Sequence, residues 1–518
     1  PKGVEQAACE VALAYLNIVF LPIDVEFPVK IVEHCVSAIG LRMILTDTKE
    51  HMEDIAAVTT TIVTLENEIP SAEIGKEALE ENSETMLINT SGTTGMPKTV
   101  ILTWRGIMNC INATQKLFSI TSKDVAFGVT NYGHDMSIFD ILGMVYIGGT
   151  TVIPNQHNYK NPEIWIDLMN KYKVTVWISV PALLEMLLYS DLEKLPEVVG
   201  KLHRVIQGGD YLHIDIVKKF RKWNQKGKIF NVGGPTETTM WNIYHEVSGE
   251  DIQNNNIPYG KPFPNTQYYI LDKKQELCPV GKEGQMYIAG DGVTPGYVGT
   301  GEQGKFTEYK GLRVYCSGDY GVYMRTGEIL FRGRKDRQIK INGKRIELDG
   351  IEEKLNSIKG ITKGAVICKD KRIVAYYVAE DKTEVNNIKK ILSGILPEYM
   401  IPTAFYEIKR LPYNRNKKVD YRELERMVPK TGEQEKAETE LEDFVARICE
   451  NIFEVEKIGV KESFYNLGGD SVTAMRIAAI IKKEFNVHMT PYDIFEHSTI
   501  RELASYIAKL RSDINEKV

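Results

Sequence analysis

The stretch that decides the fold is Thr90-Ser91-Gly92-Thr93-Thr94-Gly95-Met96-Pro97-Lys98, which is dense in glycine and hydroxyl residues and ends in a lysine. Glycines let backbone N–H groups approach a phosphate closely, while hydroxyls add donors and lysine adds a positive charge. The stretch lies between two strand-like runs, TMLINT and VILTW, and no GKS or GKT follows, so it is not a Walker loop. The residues alone allow a plain surface turn or a phosphate-binding loop.

Outward from this loop, residues 1–333 alternate short apolar runs with amphipathic stretches, a pattern typical of an α/β domain. Residues 334–428 contain the strand-like runs RQIKI, AVICK and RIVAYYVA around helical segments, which indicates a smaller α+β unit. The polar residues 429–440 are interpreted as a linker. In residues 441–512, apolar side chains such as Leu441, Val445 and Ile448 fall at helical spacing, which predicts a compact helical bundle.

Composition excludes several classes of protein. The formal net charge of -6 over 518 residues leaves no basic footprint for nucleic acid. The longest apolar stretch, residues 11–23, is interrupted by Asn17 and Pro22 and is shorter than the ~20 residues of a membrane-spanning helix. The seven cysteines are scattered, without a CxxC pair, which argues against disulfides or structural zinc. We therefore expect a cytoplasmic protein that binds neither nucleic acid nor membrane.

The glycine-rich loop closely resembles the phosphate-binding signature of the adenylate-forming enzyme superfamily, which includes acyl-CoA synthetases, luciferases and the adenylation domains of nonribosomal peptide synthetases. The resemblance implies that Thr90 to Gly95 and Lys98 bind the phosphates of ATP. Two positions depart from the family pattern, because Asn89 stands where an aromatic residue is common and Thr99 where glycine is usual. Neither change removes a hydrogen-bond donor.

Residues 231–239, with the sequence NVGGPTETT, resemble the family segment that meets adenine and the α-phosphate. The resemblance implies that Thr236 contacts the α-phosphate and that Glu237 holds Mg²⁺, an ion that prefers hard oxygen ligands. Gly233 would belong to the ATP site as well. It replaces the family's usual aromatic residue, so the usual stacking partner of adenine is missing at this position.

Three further motifs follow in the family's order. YCSGD resembles the motif in which Asp319 binds the ribose hydroxyls, and GRKDRQIK the hinge in which Arg334 assists with ribose and Asp336 is the pivot. The loop after the hinge, residues 341–347, is implied to meet the cofactor of a carrier domain. NKKVD resembles the motif of the catalytic lysine, here Lys418.

Residues 464–472, with the sequence FYNLGGDSV, resemble the attachment signature of peptidyl carrier domains. The resemblance implies that Ser471 carries 4′-phosphopantetheine, added by a phosphopantetheinyl transferase. A simple helix N-cap is the other interpretation of this serine. The family resemblance therefore implies three parts: a large α/β subdomain, a small α+β subdomain and a four-helix carrier. We also expect the family's first ~80 residues to be missing from this chain.

Asp135, in GHDMSIFD, matches the family's partner of the substrate α-amino group, and a desolvated ammonium needs such a paired charge. His134 stands before it in place of a phenylalanine. The resemblance implies that Lys418 holds the substrate carboxylate, and it assigns these side-chain pocket residues: Met136, Phe139, Ile178, Ile206, Gly208, Val232, Met240 and Trp241. Their large apolar side chains predict a small neutral substrate such as glycine, alanine or cysteine.

The predicted function is activation of an amino acid with ATP and Mg²⁺, followed by loading onto the chain's own carrier, among neighbouring synthetase domains. An acyl- or aryl-CoA ligase is the nearest alternative, but it predicts neither Asp135 nor a carrier domain. A catalytically decayed docking module is another, but it predicts loss of Lys418 or Glu237, and both are present. A hydrolase is disfavoured because the chain has no GxSxG elbow.

Overall fold

The computed structural model describes residues 1–46, 61–64, 80–91, 96–190, 193–299, 305–369, 372–379, 385–414, 418–427, 435, 437–453, 457–464, 467, 469, 471–485, 487, 489 and 491–515. It divides into two compact units. The first comprises Pro1–Leu184, Glu193–Glu347 and Gly394–Glu398, and the second comprises Glu185–Leu192, Leu348–Ser393 and Tyr399–Val518. The predicted domain limits after residues 333, 428 and 440 stay predictions.

A seven-stranded sheet forms the centre of the first unit. Its middle strands are short apolar runs, such as the fully buried Val176–Ser179, which is typical of parallel strands covered on both faces. Five neighbouring strands pair in parallel, and the last two strands on one side of the sheet pair antiparallel. Because the parallel strands point the same way, their carboxyl ends meet at one edge of the sheet. The order is Lys261–Pro262, Ile243–Glu246, Lys228–Gly233, Arg204–Gln207, Val176–Ser179, Val125–Phe127 and Thr150–Val152.

Helices flank these strands, and their boundaries follow ordinary capping rules. The helix Trp104–Phe118 begins after Thr103, whose side chain accepts a hydrogen bond from the Gly106 N–H, and it ends at the left-handed Ser119. The other helices of this unit are Val4–Tyr15, Val29–Ile39, the π-helix Phe139–Gly143, Met144–Ile147, Pro162–Tyr172, Leu195–Gly200, Ile214–Trp223, the 3-10 helix Thr236–Thr238 and Gly249–Asn254. The helix Pro181–Leu188 begins in this unit, and its residues from Glu185 belong to the second unit.

Smaller sheets complete the first unit. One is antiparallel and joins the two strands around the glycine-rich loop, Glu84–Thr90 and Lys98–Thr103, to Gly296–Tyr297. A five-stranded antiparallel sheet contains Thr266–Leu271, Gly284–Gly290, Phe306–Tyr309, Leu312–Tyr323 and Ile329–Arg334. Two further strand pairs are Met43–Thr46 with Thr61–Thr64, and Gln338–Ile341 with Lys344–Glu347.

The second unit contains a three-stranded sheet and a helical bundle. The sheet joins Ile361–Lys369, Arg372–Ala379 and Ala404–Glu407, with helices Leu348–Asn356, Val385–Ser393, the 3-10 helix Glu398–Met400 and Tyr421–Arg426 in the same part of the chain. The bundle helices are Glu440–Phe453, Ser471–Phe485, Pro491–Glu496 and Ile500–Asn515. They enclose their own apolar cluster, which draws only on residues between Ala437 and Leu510. The structure thus confirms the predicted α/β, α+β and four-helix parts.

The seven cysteines are all free thiols, and Cys35, Cys110 and Cys449 are buried. Burial raises the pKa of the Cys110 thiol to about 12. Within the described ranges, no helix combines the length and apolar character needed to cross a bilayer.

Candidate active site

The predicted side-chain pocket lies at the carboxyl edge of the central sheet. Ile178 and Ile206 sit opposite each other on neighbouring parallel strands, and Val232 lies near the end of the next strand. Crevices at this edge are the usual ligand sites of parallel α/β sheets. The sheet therefore brings together residues that are far apart in the sequence.

The apolar pocket residues belong to one buried cluster, namely Met136, Phe139, Ile178, Ile206, Val232, Met240 and Trp241. The rings of Phe139 and Trp241 lie 5.8 Å apart between centroids. At Gly208 an added Cβ would come within 2.8 Å of Val232 Cγ2 and 3.5 Å of Met136 Cε. The space beside Gly208 is therefore too narrow for a further side-chain atom at that residue.

Asp135 lies beside this cluster and is only 4% exposed. Its Oδ2 accepts a hydrogen bond of 2.6 Å from the Thr236 hydroxyl, and its Oδ1 lies 3.0 Å from His134 Nδ1. The predicted partner of the amino group and the predicted partner of the α-phosphate are thus in direct contact. His134 also reaches the loop after the hinge, since its Nε2 lies 3.3 Å from the Gly343 carbonyl oxygen.

Glu237 is completely buried and holds a second charged cluster. Arg345 Nη1 donates to Glu237 Oε1 at 2.8 Å and to Oε2 at 3.0 Å, and the Tyr297 hydroxyl donates to Oε1 at 2.7 Å. Burial opposes ionisation of Glu237, but the Arg345 charge and the Tyr297 hydrogen bond outweigh it and lower its pKa to about 2. The carboxylate is therefore ionised at neutral pH.

The Glu237 carboxylate could be one ligand of a Mg²⁺ ion whose other ligands come from outside the protein. Nowhere in the described part of the chain do three acidic, histidine or cysteine side chains cluster as a metal site. A single ionised carboxylate fits an ion that takes its other ligands from water and substrate phosphates. In the arrangement seen here, the Arg345 guanidinium contacts both carboxylate oxygens.

The glycine-rich loop connects two antiparallel strands, as its flanking sequences predict. Gly92, Thr93, Thr94 and Gly95 lie outside the described residues. At the ends of the loop, the Thr90 hydroxyl donates to the Lys98 carbonyl oxygen at 3.2 Å, and Lys98 Nζ lies 5.8 Å from the Tyr297 ring centroid. Ser91 is buried, and its hydroxyl has no hydrogen-bond partner among the described residues, as expected of a donor held for phosphate.

The two departures from the family pattern beside this loop face each other. Asn89 and Thr99 are direct cross-strand neighbours, and the Thr99 hydroxyl donates to Asn89 Oδ1 at 2.8 Å. The Asn89 amide in turn lies 3.3 Å from the Cys35 sulfur. The paired substitutions therefore stabilise each other at the base of the loop.

The predicted ribose site and the predicted hinge share one arginine. Asp319 and Arg334 are cross-strand neighbours, and Arg334 Nη1 donates to Asp319 Oδ1 at 2.6 Å. Arg334 also forms two parallel hydrogen bonds to Asp336, from Nε at 2.8 Å and from Nη2 at 2.6 Å. Asp336 is therefore held by a bidentate ion pair to Arg334, and Arg334 connects it to Asp319, the residue predicted to bind the ribose.

Two predicted residues belong to the second unit. Lys418 is exposed, its N–H donates to Asn414 Oδ1 at 3.2 Å, and it lies just before the helix Tyr421–Arg426. Ser471 is the first residue of the helix Ser471–Phe485, and the positive dipole at the N-terminal end of a helix suits a phosphodiester. Nothing in the described side chains bears on the Ser471 hydroxyl, and the roles of both residues stay predictions.

Sequence reasoning missed Tyr297 and Arg345 as partners of Glu237. Arg345 lies within the loop that the family resemblance had assigned to the carrier's cofactor, so its neighbourhood was indicated although its partner was not. Tyr297 belongs to a two-residue strand beside Lys98–Thr103 and carries no sequence signal.

Comparison with known proteins agrees with this geometry. Residues 1–298 match the family model described as AMP-binding enzyme, and residues 440–507 match the one described as phosphopantetheine attachment site. Bacitracin synthase 1 of Bacillus licheniformis is 33% identical over 436 residues, which cover 81% of this chain and 8% of that protein. Surfactin synthase subunit 1 of Bacillus subtilis is 30% identical over 514 residues, which cover 94% of this chain and 14% of that protein. The chain thus spans a small part of the length of these two relatives.

Solved structures share the fold of this chain. A holo nonribosomal peptide synthetase protein containing adenylation and PCP domains, bound to a vinylsulfonamide inhibitor, superposes with a TM-score of 0.81 at 22% identity, covering 97% of this chain and 85% of that one. A holo four-domain nonribosomal peptide synthetase bound to AMP and glycine has a TM-score of 0.57 at 26% identity, covering 97% of this chain and 38% of that one.

Proposed function

Because the chain belongs to the AMP-binding enzyme family and joins its adenylation domain to a phosphopantetheine attachment domain, as nonribosomal peptide synthetases do, we propose that it activates a small neutral amino acid with ATP and loads it onto its own carrier. The contact that carries the proposal is the 2.6 Å hydrogen bond between Thr236 and Asp135. It joins the residue suited to a substrate ammonium to the residue suited to the α-phosphate, so an amino acid held by Asp135 would have its carboxylate close to the α-phosphorus.

In the first step, an oxygen of the substrate carboxylate bonds to the α-phosphorus of ATP. The bond between the α-phosphorus and the bridging oxygen breaks, and pyrophosphate leaves. The chain contributes positioning and charge. Asp135 orients the ammonium, which would replace the Thr236 hydroxyl as its hydrogen-bond donor. Thr236 could then donate to the α-phosphate, and Lys418 bridges the two negative groups. Glu237 would hold Mg²⁺, which neutralises phosphate charge. Asp319 and Arg334 would bind the ribose.

In the second step, the aminoacyl group leaves AMP for the carrier. Ser471 would hold the phosphopantetheine, which when bound would supply the thiol that takes the aminoacyl group from AMP, with AMP as the leaving group and the thiol proton released. Rotation about Asp336 would withdraw Lys418 between the two steps and bring residues 341–347 to the site. The partners would be a phosphopantetheinyl transferase and neighbouring synthetase domains.

A small side chain is favoured by the pocket geometry. The rings of Phe139 and Trp241, 5.8 Å apart, and the narrow space at Gly208 leave little volume beyond the Cα of the substrate. The four-domain relative was solved with glycine, which agrees with this substrate class. Glycine, alanine and cysteine are the proposed substrates.

The decisive experiment is amino-acid-dependent exchange of labelled pyrophosphate into ATP, tested with each proteinogenic amino acid. We expect exchange with glycine, alanine or cysteine, and a loss of about a hundredfold or more in Lys418→Ala, because an electrostatic contact to the transition state is removed. Lys409→Ala, which changes another exposed lysine of the same unit, is the matched control.

Other outcomes separate the alternatives. Exchange only with large or charged amino acids would contradict the small pocket and keep the reaction. Exchange with aryl or fatty acids, followed by transfer to free coenzyme A, would support the CoA ligase instead. A folded protein that supports no exchange with any acid would support the decayed docking module.

A further inference from the structure

Gly233 leaves a gap in the adenine site, because the family's usual residue at this position is aromatic. In the structure this gap is filled from another part of the chain. A Cβ added at Gly233 would lie 2.0 Å from Cε2 and 2.5 Å from Cζ of the Tyr259 ring. No real Cβ approaches a ring so closely, so a side chain at residue 233 and the Tyr259 ring exclude each other. The Tyr259 ring occupies the space next to the Gly233 backbone.

The backbone around Tyr259 holds this ring in place. The N–H groups of Tyr259 and Gly260 both donate to the Ile329 carbonyl oxygen, at 2.9 and 3.1 Å. The Ile329 N–H donates to the Gly260 carbonyl oxygen at 2.8 Å. Gly260 has φ +115, and a Cβ there would lie 1.9 Å from the Tyr244 carbonyl oxygen, so only glycine allows this approach. Tyr259 is therefore fixed to the strand Ile329–Arg334.

That strand connects the ring to the ribose site. Phe331, on the same strand, packs against Tyr259 with 5.6 Å between ring centroids, and the strand ends at Arg334, the partner of Asp319. Burial raises the pKa of Tyr259, and the Asp319 charge raises it further, so the phenol stays neutral at any physiological pH. A neutral aromatic ring thus lies against the Gly233 backbone, close enough to Asp319 for the charge of that carboxylate to raise its pKa.

We propose that Tyr259 is the residue that stacks on the adenine of ATP, in place of the aromatic residue that position 233 lacks. Aromatic side chains stack on any base through its π-face, and the strand that fixes Tyr259 also presents Arg334 towards the ribose. The proposal rests on the proposed function, since it concerns the ATP site of that same reaction. It assigns one substrate-binding residue that the motif pattern does not contain.

The test removes the aromatic ring at residue 259 and then restores an aromatic ring at residue 233. ATP affinity is measured by calorimetry, together with the KM for ATP and for the amino acid in pyrophosphate exchange. We expect Tyr259→Leu to weaken ATP binding by about five- to 150-fold, the equivalent of one base–aromatic stack, with the KM for the amino acid unchanged. The double variant Gly233→Tyr with Tyr259→Leu moves the ring to the family's usual position and should recover most of the loss.

Three controls make the result specific. Tyr259→Phe keeps the ring and should keep the affinity. Gly233→Tyr alone places two rings in one space and should weaken ATP binding. Tyr269→Leu removes a tyrosine that packs on Tyr309 instead, at 5.0 Å between centroids, and should have no effect.

The proposal is overturned if Tyr259→Leu binds ATP as tightly as the parent. It is also overturned if the affinity lost in a folded Tyr259→Leu protein is not recovered in the double variant, because the ring would then act only in packing. Failure of the proposed function looks different: the parent would bind ATP, with the same dependence on Tyr259, but would exchange pyrophosphate with no amino acid.

Discussion

At the scale of single residues, Asp135 is the proposed partner of the substrate ammonium. It is buried, and its two oxygens contact Thr236 and His134. A substrate ammonium would give this carboxylate the full positive charge that it lacks in these contacts.

We expect Asp135→Asn to lower kcat/KM for the amino acid by about 30-fold or more, because losing one partner of a buried charge pair costs about 2–5 kcal/mol. Activation of the corresponding α-hydroxy acid, which has no ammonium, should change far less. Both are measured by pyrophosphate exchange, with Asp167→Asn at an exposed position as the control. An equal loss with the two substrates would show that Asp135 acts on the fold or on Thr236 and not on the amine.

A second buried carboxyl, Asp140, contributes to the pH dependence of stability. Both its oxygens are buried without a hydrogen-bond partner in the described part of the chain, and burial raises its pKa well above 3.8, although the Lys2 charge opposes this. Glu10, near the same lysine, has a pKa raised by burial to about 8, and Lys2 has one lowered by burial to about 7. Raised carboxyl pKa values mean that the folded state binds more protons than the unfolded state.

The free energy of unfolding should therefore fall as the pH rises from about 4.5 towards 8. In this window Glu10 and Asp140 have already lost their protons in the unfolded chain but keep them in the folded state. Lys2 opposes this only above about 7, where its lowered pKa makes stability rise with pH. Asp140→Asn should flatten this slope and raise the free energy of unfolding at pH 7, because Asn does not titrate and the folded state then has no extra proton to take up. Denaturant titration at several pH values checks this, and an unchanged slope would contradict it. Asp215→Asn, at an exposed position, is the control.

Membership of the candidate site could be predicted from the sequence only for residues that belong to a family motif. Asp135, Thr236 and Glu237 follow from residue type, order and spacing, and the structure brings them to one place. Tyr259 and Tyr297 could not be found in this way, because each acts through a contact between distant segments, with Gly233 and Glu237 respectively.

At the scale of secondary-structure elements, the hairpin after the predicted hinge has a turn whose backbone conformation and contacts both require glycine. Asn342 and Gly343 have φ of +50 and +78, which is the type I′ turn that Asn-Gly favours between antiparallel strands. A Cβ at Gly343 would lie 2.2 Å from Val180 Cγ1, and the Gly343 N–H donates to Asp210 Oδ2 at 3.2 Å. The turn therefore fits against the large subdomain only because residue 343 has no side chain.

Gly343→Ala should lower the rate of carrier loading while amino-acid-dependent pyrophosphate exchange continues, because the clash with Val180 disfavours the docked hairpin. Loading is measured as labelled amino acid on the holo carrier. Gly311→Ala is the matched control, since Gly311 occupies a hairpin turn with φ +76 and has nothing within 4 Å of an added Cβ. Equal effects of the two variants would mean that backbone strain, and not docking, is responsible.

At the scale of the whole molecule, the bundle of the carrier has its own core. Ile481 is completely buried in the apolar cluster drawn from residues 437–510. The order of strand and helix types was predictable from periodicity, because each element buries one face. The positions at which the units separate were not, since the composition shift near residue 333 and the compact division after Glu347 need not coincide.

We expect Ile481→Ala to destabilise the carrier by about 2–5 kcal/mol, the usual cost of removing a large aliphatic side chain from a core. Calorimetry should show the unfolding transition of the carrier at a lower temperature and the transition of the rest of the chain unchanged. Pyrophosphate exchange should be unaffected. Ile480→Ala, at a partly buried neighbour, should have a smaller effect. A loss of exchange that parallels the loss of the carrier would show that the two parts fold as one.

The burial of the cysteines has a consequence for chemical labelling. Burial raises the pKa of Cys9, Cys35, Cys110, Cys278 and Cys449, and the thiolate is the form that reacts with electrophiles. A short maleimide pulse at neutral pH would therefore alkylate an unhindered pantetheine thiol ahead of these side chains. An aminoacylated prosthetic group would resist the same pulse, so in a variant in which Ser replaces Cys316 and Cys368, the two other free thiols, intact-protein mass would count the unloaded carriers.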